Sequence, residues 1–305
     1  MHENMGNRVV PLYYHRVFDK QPDINLLCVT PLKFEQQIKY LKKHYNILRF
    51  EDDWENTDRD SVVITFDDGY MDNYEFAMPI LEELQVPAAV FVSTGVLEQD
   101  TQLWWDELDT ILLAGEQFPE CFKLEDDIFG CAWNTTTYGH RLNCYRGLHT
   151  LMKNYSNVEQ RERWSMQLRR WRKPAGGENQ TLDVSSCKKL AQSSYITIGA
   201  HTVSHPSLGS LTYEEQEKEI MESIRYLERL LGWTIDTFSY PFGAAQEDFT
   251  DETIQICKEA GIKKAASTIP GIWYKGSDPY KIPRNIVRDW GPYEFATMMD
   301  QYFMD

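Results

Sequence analysis

Two stretches of this chain place titratable side chains directly after apolar runs. The first is Val62-Val63-Ile64-Thr65-Phe66-Asp67-Asp68-Gly69-Tyr70. β-Branched residues favour a pleated, buried segment and the run is short for a helix, so Val62 to Phe66 reads as a strand of a parallel sheet that delivers two carboxylates to its carboxyl end. Adjacent strand residues point opposite ways, which lets one carboxylate bind a metal while the other handles a proton. Taken alone, Asp-Asp-Gly after a strand is more often a plain chain reversal. The second stretch changes that balance. Ile196-Thr197-Ile198-Gly199-Ala200 is another apolar strand, and it ends in His201-Thr202-Val203-Ser204-His205. On a helical turn this spacing sets both imidazoles on one side, where they can share a divalent cation with one carboxylate and leave positions open for water and substrate.

The elements that must hold these groups alternate between strand and helix. Arg8 to Tyr14 reads as a first strand delivering His15 and Arg16 to its end. His15 is either a packing residue or part of an active-site rim. Thr30-Pro31 reads as an N-cap with proline at the first helical position, followed by Phe34, Ile38 and Leu41 at helical spacing. Tyr74, Ala77, Leu81 and Leu84 mark a second helix, and Ala88 to Val92 the next strand, completing a parallel crossover unit. After Ile196 the alternation resumes. Thr212 with Glu215 forms a capping box, and Ile220, Ile224, Leu227 and Leu231 stripe a long helix. Strands at Asp236 to Tyr240 and Lys264 to Ser267, a helix over Glu252 to Ala260 and a last helix begun by Pro292 follow. Such alternation suggests a parallel barrel with its site at the carboxyl ends of the strands, although the pattern alone does not separate a barrel from an open doubly wound sheet.

Residues 97–190 break the alternation and are rich in tryptophan, tyrosine and charge. They read as a mainly helical insertion within a single domain spanning 1–305. Arg161 to Lys173 is expected to be a basic helix with Trp164, Leu168 and Trp171 along one face, and Ala175-Gly176-Gly177-Glu178-Asn179 is the clearest loop. Trp104 and Trp105 are either core residues of this insertion or aromatic faces on which a sugar ring stacks.

Thr65-Phe66-Asp67-Asp68-Gly69 together with His201-Thr202-Val203-Ser204-His205 resembles the first two motifs of the polysaccharide deacetylases, also called the NodB-homology family or carbohydrate esterase family 4. The resemblance runs from Tyr14-His15-Arg16-Val17 to Pro283-Arg284-Asn285-Ile286-Val287. It implies an α/β fold, a distorted incomplete (β/α)7 barrel with a mainly helical insertion. It also implies that Asp67 is the catalytic base and that Asp68, His201 and His205 bind a divalent metal. Zn2+ suits two imidazoles and a carboxylate, and Co2+, Ni2+ or Fe2+ fit the same ligands.

Later motifs depart from the family. Ser239-Tyr240-Pro241-Phe242-Gly243 has serine where many members have the arginine that orients the base, and Lys281-Ile282-Pro283-Arg284-Asn285-Ile286 replaces the Leu-x-His that supplies the general acid. Arg284 therefore either takes over the missing arginine's place beside Asp67 or is an exposed cation paired at the surface. His15 or a water on the metal becomes the candidate acid. Backbone N–H groups near Gly69 or Tyr70 are candidates to assist an oxyanion. Tyr70, Trp104, Trp105, Tyr240 and Pro241 are the candidate substrate contacts.

A formal charge of −16 over 305 residues argues against nucleic acid as the main partner and leaves a neutral sugar compatible. No apolar run is long enough to span a bilayer. The polar start Met1 to Arg8 lacks the apolar core of a signal peptide, so a cytoplasmic location is expected unless a leader has been removed. Six cysteines without any Cys-x-x-Cys pair are expected to be free thiols. Together these features lead to the expectation of a metal-dependent hydrolase taking the acetyl group from an N-acylated amino sugar. A deformylase on a lipid- or nucleotide-linked amino sugar and a carbohydrate-binding pseudoenzyme are the alternatives.

Overall fold

In a computed structural model of the chain, which describes residues 8–20, 22–97, 102–128, 130–155, 157–175 and 180–304, the apolar runs form short strands. The polar start of the chain up to Asn7 and residues 176–179 of the expected loop lie outside these residues. In chain order the strands are β1 (Val9–Tyr14), β2 (Arg16–Val17), β3 (Cys28–Val29), β4 (Asn46–Leu48), β5 (Ser61–Phe66), β6 (Ala88–Val92), β7 (Cys121–Leu124), β8 (Cys131–Asn134), β9 (Ile196–Ala200), β10 (Thr237–Ser239), β11 (Lys264–Ala266) and β12 (Asn285–Ile286). The helices are α1 (Pro31–His44), α2 (Met78–Leu84), α3 (Trp104–Leu112), α4 (Tyr138–Asn154), α5 (Val158–Trp171), α6 (Val184–Gln192), α7 (Tyr213–Leu231), α8 (Asp251–Glu259) and α9 (Pro292–Tyr302).

Eight strands make one parallel sheet in the order β11-β10-β9-β6-β5-β1-β12, with β4 alongside the first half of β5. β5 is its spine: β1 pairs with it along its whole length, β4 covers Ser61 to Val63, and β6 takes over at Thr65 and Phe66. The sheet curls until Ile282, just before β12, bridges Ala266 of β11 at the opposite end. This is the incomplete (β/α)7 barrel expected from the resemblance.

Strand alternation divides the core into two layers. Val10, Leu12, Tyr14, Ile64 and Phe66 face outward into a cluster with Phe34, Ile38, Leu41, Ile220, Ile224 and Leu227 of the surrounding helices. Val9, Val63, Ala89, Phe91, Ala266 and Ile282 face inward, where Phe50, Trp54 and Trp273 fill the lower part of the barrel. Thr65 and Asp67 continue the inward-facing set of Val63, so the same alternation that fills the barrel carries the acid to its mouth.

Several helix ends follow their local chemistry. Thr212 and Glu215 form the reciprocal capping box at the start of α7, and Gly232 ends it in the left-handed conformation. Thr30, by contrast, makes no side-chain cap for α1; its backbone N–H and hydroxyl both donate to Asp289.

The chain divides into two compact units, Met1–Gln99 with Thr181–Asp305, and Asp100–Gln180. The second contains α3, α4, α5 and an antiparallel hairpin of β7 and β8, a strand pair that the helical reading of this region did not foresee. α6, within the span expected for the insertion, groups with the sheet.

Candidate active site

β5 ends with Asp67 still in the ladder, its N–H donating to Tyr14 O. The backbone then turns sharply, with φ of 75° at Asp68 and 80° at Gly69. At Gly69 a side chain would be strained by that φ and its Cβ would come within 3.0 Å of Val92 Cγ1. The turn brings Asp68 round to the side of His201 and His205. Its Oδ1 lies 3.5 Å from His201 Nε2 and 3.2 Å from His205 Nε2, and the three side chains are buried.

His201 to His205 is a loop rather than the expected helical turn. Thr202 and His205 both have left-handed φ, 64° and 54°. The conformation is held from two sides. Ser93 Oγ, Thr94 N and Gly95 N donate to the carbonyls of His201, Thr202 and Val203, and the Glu219 carboxylate of α7 accepts from Val203 N, Ser204 N and Ser204 Oγ. With Asp68, Thr202 and His205 all at positive φ, the backbone strain is a cost that the surrounding hydrogen bonds must offset.

Arg284 is wholly buried inside the barrel. Its guanidinium grips Asp67 with Nη1 to Oδ1 at 2.8 Å and Nη2 to Oδ2 at 2.7 Å. Nη1 also donates to Thr65 Oγ1, Nη2 to Ser239 Oγ and Nε to Ser267 O. Those five bonds use every N–H an arginine has. The rings of Tyr13 and Phe91 flank the cation at 4.8 and 5.7 Å. Ser239 joins the two halves of the site, because its hydroxyl accepts from Arg284 while its carbonyl lies 2.7 Å from His201 Nδ1.

That last contact bears on a metal. With its proton on Nδ1, where it can be donated to Ser239 O, His201 presents a bare Nε2 to the Asp68 carboxylate. Asp68 Oδ1 is buried and has no hydrogen-bond partner among the described residues. Two facing acceptors in a buried site repel unless a cation lies between them, and Asp68, His201 and His205 offer ligand atoms all within 4.8 Å of one another. The donor set therefore fits a divalent cation of the zinc type.

The charges are consistent with this arrangement. Burial by itself would raise the Asp67 carboxyl, but the Arg284 guanidinium holds it below the usual carboxylate range.

A family model described as polysaccharide deacetylase matches residues 55–119 and 149–265, more than half of the chain. The chain belongs to the polysaccharide deacetylase family. Among curated proteins it is similar to a poly-β-1,6-N-acetyl-D-glucosamine N-deacetylase of Staphylococcus aureus, 24% identical over 302 residues that cover 93% of this chain and 80% of that protein. Among solved structures it resembles the Streptococcus pyogenes deacetylase PplD in complex with acetate, with a TM-score of 0.62 and 20% identity over 96% of this chain and 98% of that one. It also resembles IcaB from Ammonifex degensii, with a TM-score of 0.61 and 16% identity over 98% of each chain.

The remaining candidates fall in different places. His15 sits at the end of β1 with its ring edge-on to Tyr13 at 5.6 Å and its buried Nδ1 without a hydrogen-bond partner among the described residues. Burial lowers its pKa against the pull of Asp68 and Asp67, with Arg284 and His201 adding to the lowering. Tyr70 is fully buried, its ring beneath the Arg16 guanidinium at 4.4 Å. Tyr240 is fully buried as well, stacked on Phe249 at 4.1 Å with its hydroxyl donating to Tyr280 O. As placed, neither ring offers a face to a sugar, and Pro241 is buried beside Tyr240. The Gly69 N–H already donates to Asp67 O and is not open to an oxyanion.

In the second unit Trp104 and Trp105 are buried edge-to-face against each other at 5.2 Å, with Trp104 also against His149. They are core residues there, not an exposed platform. Sequence reading missed three contributors to the site: Glu219, the Phe242 ring edge-on to His205 at 4.7 Å, and Asn73, whose side chain donates to His15 O. Each acts on a residue far away in sequence, and only Phe242 lay in a stretch already singled out.

Proposed function

We propose that this chain is a metal-dependent N-deacetylase that hydrolyses the N-acetyl group of amino sugars in a glycan. The observation that carries the reading is the pairing of a buried, arginine-gripped carboxylate, Asp67, with an adjacent Asp68–His201–His205 cluster whose buried acceptors face one another. The name of the Staphylococcus aureus relative supports a polymer of N-acetylglucosamine as the substrate class.

Amide hydrolysis needs an activated water, stabilisation of the charge on the acyl oxygen and a proton for the departing amine. Asp68, His201 and His205 would hold a divalent cation, which would supply Lewis acidity to the water and the acyl oxygen. Asp67 takes the water's proton. Arg284 keeps that carboxylate ionised and fixes both of its oxygens, so its free lone pairs point in a set direction. His15, at the end of β1, is the candidate to pass a proton to the amine; burial lowers its pKa, so in this role it relays to the leaving nitrogen the proton that Asp67 has taken from the water, which returns both side chains to their starting states.

The test is acyl release from a panel of N-acetyl and N-formyl glucosamine oligomers, followed by proton NMR. Acetate release with a free amine appearing in equal amount supports the proposal. Formate release alone would make the chain a deformylase, and tight oligosaccharide binding with neither product would make it a binding protein.

A further inference from the structure

The His201–His205 loop has one brace from outside its own strand neighbourhood. Its carbonyls are held by the turn after β6, where Gly95 approaches so closely that a Cβ would come 2.7 Å from Val203 O. His205 N donates to Thr202 Oγ1 within the loop. The N–H groups of Val203 and Ser204, at the loop's tip, donate instead to the Glu219 Oε2 at 2.9 Å each, and Ser204 Oγ donates to Oε1 at 2.8 Å. Glu219 is buried on α7, a helix fixed by its own capping box and apolar stripe, so its carboxylate is a rigid anchor.

We propose that Glu219 is a positioning residue for the metal centre: it sets the loop conformation that brings His201 Nε2 and His205 Nε2 within 3.5 and 3.2 Å of Asp68 Oδ1. The inference rests on the metal reading of that cluster. Thr202 and His205 sit at positive φ, which non-glycine residues avoid, and without the carboxylate the two N–H groups at the tip lose the partner that holds them there. The loop then relaxes and the imidazoles no longer converge. The role is geometric. A glutamine in the same rotamer can accept both N–H groups with its carbonyl oxygen and meet the Ser204 hydroxyl with its amide, whereas aspartate keeps the charge and falls short by a methylene.

The experiment compares Glu219→Ala, Glu219→Asp and Glu219→Gln with the parent chain, with far-ultraviolet circular dichroism to establish folding. Zinc affinity is read by competition with a chelating dye, and cobalt is used as a spectroscopic probe of the ligand geometry. Alanine and aspartate are expected to lose about 10- to 100-fold in zinc affinity, the range for residues that orient metal ligands, and to alter the cobalt absorption. Glutamine is expected to restore both. A folded alanine variant with parental affinity and spectrum overturns the proposal, as does a glutamine variant as weak as alanine. Should alanine not fold, the contrast between aspartate and glutamine decides. A parent chain that binds neither metal would overturn the metal reading and this inference with it, whereas parental binding with unchanged variants would overturn the inference alone.

Discussion

Arg284 holds both oxygens of Asp67, at 2.8 and 2.7 Å, from the segment just before β12, far away in sequence, with the guanidinium wholly buried and the carboxylate nearly so. Ser239, at the place where many family members have an arginine, accepts from this guanidinium. A cation beside Asp67 is thus present in space although it is missing from its usual motif.

Replacing Arg284 by alanine strips a buried carboxylate of its partner. Catalytic turnover is expected to fall and the acidic limb of the pH–rate profile to move to higher pH, because Asp67, no longer held down, must lose its proton at higher pH to act as base. Metal content should stay at the parental level. Breaking a buried pair typically costs about 3–5 kcal/mol, so rates should be taken well below the melting temperature. An unshifted profile in a folded variant would remove Arg284 from the role.

Asp67→Asn keeps the shape and loses the ability to take a proton. Turnover is expected to drop by roughly two to four orders of magnitude with the metal retained. Parental rates would show that another group activates water.

How far the sequence leads depends on the range of each interaction. Strand ends and helix stripes are local patterns, so Val62 to Phe66, Ala88 to Val92, Ile196 to Ala200 and the capping box at Thr212 appear where the periodicity puts them. Asp68, His201 and His205 converge because each follows such a strand. Left-handed Thr202 and His205 are a different matter: nothing in a His-x-x-x-His spacing separates a helical turn from a loop whose shape comes from Glu219, fourteen or more residues on. The fate of Trp104 and Trp105 was equally undecidable, since a tryptophan in a core and one on a platform read the same in one dimension.

Their burial yields a prediction of its own. Trp105→Ala is expected to destabilise the Asp100–Gln180 unit by about 3–5 kcal/mol, as loss of a large core side chain does, while leaving KM for an oligosaccharide unchanged. A raised KM without loss of thermal stability would restore a stacking role.

Lys264, in β11, supplies a pH test at a group outside the Asp68–His201–His205 cluster. Its Nζ lies 4.0 Å from the Trp54 ring and donates to Phe50 O and Asp52 O. Burial pushes its pKa down to about 8 against the opposing pull of Asp52 and Asp53. An unfolded lysine titrates near about 10.4, so between pH 8 and 10 the unfolded chain keeps a proton that the folded chain has released. Stability relative to Lys264→Met should therefore rise with pH across that window. Parallel pH dependences in urea unfolding would show that Lys264 titrates normally.

Chelation tests the account most directly. Protein stripped of metal, then titrated with zinc while acetate release from an N-acetylglucosamine oligomer is followed, should be inactive at first and regain full turnover at one equivalent per chain. His205→Ala should recover neither binding nor activity. Undiminished acetate release from metal-free protein would contradict the assignment of Asp68, His201 and His205 as the metal site of a deacetylase.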